Sequence, residues 1–146
     1  MKTQPEVLED TLFGRIHWDE ESQWWEGSVP AGPGESFTLS IQPDPGADRK
    51  INEKVRRTYE HLCSDFEGIR QQTLQEFLAQ TGHQPFYHAL TFEQLLTHLR
   101  PDAIMLRCDG YVEVGFADRE ERVIGGGHMI VSRFWPTGLR EVVFEG

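Results

Sequence analysis

The sequence predicts an α+β domain in which an antiparallel sheet of about seven strands packs on one long and one short helix. Three observations carry this. Period-two and β-rich runs mark three strands before residue 47, and four more follow Pro101. Between them, apolar residues step by three and four from Asp48 to about Gln80. Strands are thus segregated from helices, whereas a doubly wound parallel sheet would need them to alternate. A chain of 146 residues, 38% hydrophobic and without a linker or repeat, reads as a single domain over residues 1–146.

The elements follow in order. Leu12, Gly14, Ile16 and Trp18 alternate with Phe13, Arg15 and His17, a strand pattern ended by the polar turn Asp19-Glu20-Glu21-Ser22. Trp24 and Trp25 open a second strand reaching Val29, so the two should close as an antiparallel hairpin. After the breakers of Pro30 to Gly34, Phe37, Leu39 and Ile41 share one face of a third strand, stopped by Pro43-Asp44-Pro45-Gly46. Asp48 is placed to cap the long helix. Its stripe includes Ile51, Val55, Tyr59, Leu62, Phe66, Ile69, Leu74 and Phe77, with Gly68 as a point where it can bend and Gly82 as its stop. Thr91 with Gln94 three residues on is a capping box for a short helix that Pro101 limits. Asp109-Gly110 between AIMLRC and YVEVGF is a hairpin signal. Asp118-Arg119-Glu120-Glu121 reads as a charged turn, and HMIVSRFW and REVVFEG form a last hairpin around Pro136-Thr137-Gly138.

The formal charge of −10 narrows the partners. Duplex binding draws on clustered Lys and Arg that neutralise phosphates, so nucleic acid and anionic membranes are poor matches. A basic protein or a cationic ligand is the better one. The acidity is concentrated early: residues 1–47 hold nine acids against two bases, whereas residues 48–82 hold six of each. Cys63 and Cys108 form no C-x-x-C pair and read as buried free thiols in a reducing cytoplasm. The N-terminal MKTQPEVLED lacks a signal-peptide run, and no apolar stretch is long enough to span a membrane.

Several motifs fall short of chemistry. Gly125-Gly126-Gly127 leads into the strand-like His128-Met129-Ile130-Val131, not into a helix N-terminus, so it is not built as a phosphate cradle. His128 alone needs an orienting partner to act as acid or base, and spacing specifies none; it reads as a structural histidine. His17, His61, His83, His88, His98, His128 and the two cysteines show no metal-ligand spacing, so neither a metal nor a cofactor is expected. There is no G-x-S-x-G, and no catalytic residue is assigned. Asp19-Glu20-Glu21 and Glu120-Glu121 sit at predicted hairpin tips, where solvation leaves carboxylates near their ordinary pKa and unsuited to general acid work. Tips still carry binding contacts. Of Trp24 and Trp25, strand alternation sends one into the core and the other to the far face, where it is either covered or exposed. An exposed indole beside acids has the makings of a binding anchor.

Three stretches, FGRIHWDEESQWWEGSV, FTLSIQPDP and GGGHMIVSRFWPTGLREVVFEG, together resemble a bacterial family of unknown function, domain-of-unknown-function family 2262. In that family a Gly-His and a β-strand precede a closing hairpin; here Gly127-His128 holds that place, with Gly126 where an aromatic is common. The resemblance covers the chain from about residue 12 onward. It implies no established activity; proteins of similar architecture and acidity serve as immunity or antitoxin-like partners in bacterial competition systems. The expectation is therefore a non-enzymatic, cytoplasmic domain that binds a basic protein, with Asp19, Glu20 and Glu21 as charged contacts and Trp24 or Trp25 as anchor. Two alternatives stay open. One is a small hydrolase using His128 in a sheet–helix cleft, with Cys108 or Glu113 as its partner. The other is a structural domain that oligomerises through a strand edge.

Overall fold

The computed structural model describes residues 6–32, 34–46, 48–81, 90–124 and 127–145. Among the described residues, eight strands form one sheet in sequence order: β1 (Val7–Asp10), β2 (Gly14–Asp19), β3 (Trp24–Gly32), β4 (Glu35–Ile41), β5 (Arg100–Leu106), β6 (Val112–Ala117), β7 (Met129–Phe134) and β8 (Arg140–Glu145). Among the described residues, three helices, α1 (Glu53–Ser64), α2 (Phe66–Thr81) and α3 (Phe92–His98), lie between β4 and β5. Every neighbouring pair is antiparallel except β4 and β5, which run parallel. The molecule is thus two four-stranded meanders laid side by side and joined by a helical crossover, which a parallel pair requires.

The α+β class and the mostly antiparallel sheet match the expectation; the counts do not. Strand β1 carries no sequence signal of its own, because VLED has no alternation. It exists through its backbone pairing with β2, from Val7–His17 to Asp10–Gly14. The long helix is two helices. Asp65 leaves the helical region at φ −136° and ψ 36°, and its carbonyl accepts the Ile69 N–H that starts α2. Aspartate is a poor interior helix residue and a good terminus residue. The break therefore falls three residues before Gly68, whose missing Cβ leaves room for the Asp65 carboxylate. Asn52 rather than Asp48 caps α1, its Oδ1 accepting the Val55 N–H at 2.8 Å. The capping box of Thr91 and Gln94 forms as expected.

The core lies between the helices and one sheet face. One row across seven strands contains Ile16, Gly27, Leu39, Ile104, Val114, Ser132 and Val142, all but Gly27 nearly or fully buried. Gly27 is required there because a Cβ would stand 2.9 Å from Ile16 Cγ2. Val55, Tyr59 and Leu62 of α1 and Leu74 and Phe77 of α2 are buried as the helical stripe predicts. Arg70 is buried too; its guanidinium donates to the carbonyls of Leu96 and Leu99 at the end of α3, where the helix dipole favours a cation. The opposite sheet face is polar, with His17, Glu26, Ser40, Met105, Glu113, Arg133 and Glu141 in one row. Both cysteines are free, but Cys63 is exposed and Cys108 half-buried, so neither is the core thiol the sequence suggested. Cys63 lies off the Val55–Tyr59–Leu62 stripe, and Cys108 lies past the end of β5.

Asp10 locks the first turn to α1. Its Oδ1 accepts the N–H groups of Leu12 and Phe13, and both oxygens take the Arg56 fork at 3.1 and 2.8 Å. Burial pushes the carboxyl up, but the guanidinium and the two amides more than offset it, so its pKa lies below the ordinary aspartate value. A depressed folded pKa contributes stability that is present above the unfolded value and is lost as pH falls through the folded one. Asp10→Asn should therefore lower unfolding free energy by about 1–3 kcal/mol at pH 7. The gap to wild type should close as pH drops below about 4. Urea titrations across that range check this; a gap independent of pH would show that the Asp10 charge plays no part.

Candidate functional site

The β2–β3 hairpin and the β4–α1 loop meet at one end of the sheet. The hairpin register pairs Trp18 with Trp25 and Asp19 with Trp24. Trp25 is buried at 2% exposure and meets Trp18 edge to face with centroids 5.3 Å apart. Trp24 is half-buried. The two adjacent indoles thus split as strand alternation requires, and Trp25 cannot serve as a surface anchor. Trp24 alone of the pair is accessible.

The β4–α1 loop brings Arg49 back over the hairpin. Its carbonyl accepts the Trp25 Nε1–H at 3.0 Å, and its guanidinium lies 4.2 Å from the Trp18 ring centroid. The same guanidinium reaches Glu6 at 2.8 Å and Glu20 at 3.5 Å. Arg49 holds φ at +54°, a conformation that only a surrounding set of contacts maintains in a non-glycine residue. Sequence reading missed Arg49. Its position in the chain marks it only as a base near a helix start, and its role comes from the hairpin register.

The three acids of the tip differ in use. Asp19 is turned onto its own loop. Ser22, through its side chain and its backbone N–H at 3.1 Å, holds the Asp19 carboxyl below its ordinary value. It is thus further from a general acid than a solvated carboxylate would be. Glu20 accepts from Gln23 Nε2 at 3.2 Å and faces Arg49. Glu21 is exposed.

Beside the tip lies a pocket of about 540 Å³. Trp18, Trp24, Pro43, Pro45 and Arg49 are among its walls. Its polar side is fixed in advance: Asn52 Nδ2 donates to Asp44 Oδ1 at 2.7 Å and to the Cys108 carbonyl at 2.9 Å, and Gln42 Oε1 accepts the Cys108 N–H at 3.0 Å. The residue that caps α1 therefore also ties the ends of β4 and β5 together under this pocket.

The other sequence candidates are placed differently. His128 is exposed and stacks on Phe144 with centroids 5.1 Å apart; among the described residues no carboxylate or thiol reaches it. Glu113 is engaged elsewhere, by the Tyr111 hydroxyl at 2.8 Å and Arg133 at 3.2 Å. Burial, then that carboxylate, pushes the Tyr111 hydroxyl up to about 12. A sheet–helix cleft of about 370 Å³ does exist, between Leu62 and Ile69 on one side and Val112, Phe134 and Trp135 on the other. Its histidine is His61, with Thr58 and Asp65, not His128. Asp118 is no exposed tip residue. It is buried and accepts the Val123 and Ile124 N–H groups at 2.5 and 2.9 Å, shaping the chain before the glycine run. Gly82, His83, His88, Gly125 and Gly126 lie outside the described residues. Among the described residues no group of three or more His, Cys, Asp or Glu is arranged to hold a metal ion. No described helix is long and apolar enough to cross a membrane.

Arg49→Ala removes the cation from the Trp18 ring and the links to Glu6 and Glu20. Stability should fall by about 1–2 kcal/mol. Acrylamide quenching of tryptophan emission should rise as Trp18 loses its cover. Unchanged quenching together with an unchanged urea midpoint would show that Arg49 does not hold the hairpin.

Comparison with protein-family models, curated proteins and solved structures finds no match to this chain.

Proposed function

We propose that this chain is a non-enzymatic, cytoplasmic protein-binding domain, an immunity- or antitoxin-like factor whose partner is a basic protein. One observation carries the reading. The β2–β3 end already holds a guanidinium, that of Arg49, between an indole face and two carboxylates. Acids beside tryptophan are therefore arranged here in a geometry that takes arginine. Trp24, half-buried beside this clasp, supplies apolar area for an anchor, and Glu21 is an exposed carboxylate on the same tip. The net charge of −10 steers a basic partner toward the molecule before contact.

Affinity capture from the source cells at low and high salt tests this. Wild type should retain a basic polypeptide at low salt and release it at high salt. The combined variant Glu20→Gln, Glu21→Gln, Trp24→Ala should retain at least about tenfold less, since truncating a central aromatic anchor typically costs that much. Equal retention by wild type and variant would place any binding elsewhere on the molecule and remove this tip from the account.

A further inference from the structure

Asp44 is a half-buried carboxylate that lines the pocket beside the tip. Its placement is fixed from two sides. Its Oδ1 accepts from Asn52 Nδ2 at 2.7 Å, and its N–H donates to the Lys50 carbonyl at 2.7 Å. Asn52 is in turn held as the cap of α1 and by the Cys108 carbonyl. Among the described residues no lysine or arginine pairs with the Asp44 carboxylate. Arg49 shares the pocket wall, but its guanidinium faces Glu6 and Glu20. One amide donor does not satisfy a carboxylate, and a charge partly withdrawn from water gains most from an opposite charge.

The remaining walls narrow the chemistry of that cation. Trp24, half-buried, stands with Pro43 and Pro45 in the same wall and gives the pocket an apolar side. Carboxylate and indole are the two parts that already hold the guanidinium of Arg49, 4.2 Å from the Trp18 centroid and 2.8 Å from Glu6. Asp44 and Trp24 repeat these parts without a cation. Arg49 does not bar a second guanidinium, because two carboxylates offset its charge. Arginine suits the site better than lysine: its head is more weakly hydrated and stacks on aromatic faces, and its stem covers apolar wall. Glu20 is the poorer contact for it, since Glu20 already pairs with Arg49. A volume of about 540 Å³ admits a long side chain and not a folded element.

We infer that this pocket is the seat of one arginine side chain of the basic partner, with its guanidinium on Asp44 and its stem against Trp24 and the two prolines. The inference rests on the reading of this tip as a docking surface, and it adds to the tip acids a charged contact inside the pocket.

Two pentapeptides test it: acetyl-Gly-Gly-Arg-Gly-Gly-amide, and the same peptide with citrulline, a neutral isostere, in place of arginine. Each is titrated to millimolar concentration into the full chain at low salt. The Trp24 indole N–H is followed by NMR and assigned from Trp24→Phe. The arginine peptide should shift that signal at least about threefold more than the citrulline peptide at equal concentration. Asp44→Asn keeps an acceptor for Asn52 and removes only the charge, so it should bring the arginine peptide down to the citrulline level. Asp48→Asn removes an equal charge from an exposed position outside the pocket and should leave the preference for arginine in place. Circular dichroism confirms that both variants are folded, and the citrulline comparison decides on wild type alone. Equal shifts by the two peptides, or a Trp24 signal that does not move, overturn the seat. Equal losses in Asp44→Asn and Asp48→Asn overturn it too, because the field and not the contact would then hold the peptide. If the seat fails while capture of a basic polypeptide still depends on Glu20, Glu21 and Trp24, the docking surface stands without it. If the arginine peptide binds as described and wild type captures no basic polypeptide, the pocket takes arginine and the docking reading falls.

Discussion

The parallel pairing of β4 with β5 sets the architecture around it. A parallel pair cannot be joined by a tight turn, so the chain must leave the sheet, cross, and re-enter from the same end. The crossover here holds α1, α2 and α3, and those helices cover one sheet face and close the core. The same pairing brings the C-terminal ends of two strands together. Gln42 extends the ladder, its N–H reaching the Leu106 carbonyl at 2.8 Å, and Asn52 bridges Asp44 to Cys108. Loops leaving adjacent parallel strands in one direction leave a crevice between them, the logic that places ligands at strand ends in open sheets. Here the β2–β3 hairpin tip adds its indoles to that crevice.

Arg49 shows how such a crevice is held open. Its positive φ costs free energy that the loop alone would not bear. The Trp25 N–H, the Trp18 ring, Glu6 and Glu20 each favour the same placement. None of these is worth much alone, and the ion pairs are partly exposed. Together they favour one placement of Arg49 over the hairpin, beside the pocket.

Much of the fold was legible because each element carries its own local signal. The alternation of Ile16 and Trp18, the Thr91–Gln94 box and the Asp109-Gly110 turn are short-range patterns, and each appears where expected; the helical stripe from Val55 to Phe77 is there too, but Asp65 divides it into two helices. What stayed hidden depends on pairing between distant segments. Strand β1 has four residues and an exposed side-chain pattern, so only its partner makes it a strand. The parallel register of β4 with β5 leaves no trace in either sequence. The same holds for the site. Placing one of two adjacent tryptophans inside followed from strand geometry, whereas Trp18 as the indole that meets Arg49 required the hairpin register and the return of a distant loop. His128 was legible as a conspicuous residue, and its stacking on Phe144 emerges only once β7 pairs with β8.

The distribution of charge separates two roles that a single count of acids merges. Residues 1–47 hold nine acids and two bases, so this half of the sheet projects a negative field. At physiological salt that field acts over about 8 Å, the Debye length. Contact is a different matter. Asp19 is bound to its own turn and Glu20 to Arg49, so part of the tip is already neutralised locally. A partner's arginine competing for Glu20 would have to displace an internal one and gain only the difference. Glu21, Asp44 and the accessible part of Trp24 carry no such competing cation among the described residues. Under the proposed function, the field would govern how fast a basic partner arrives, while the indole and the pocket walls would govern how long it stays.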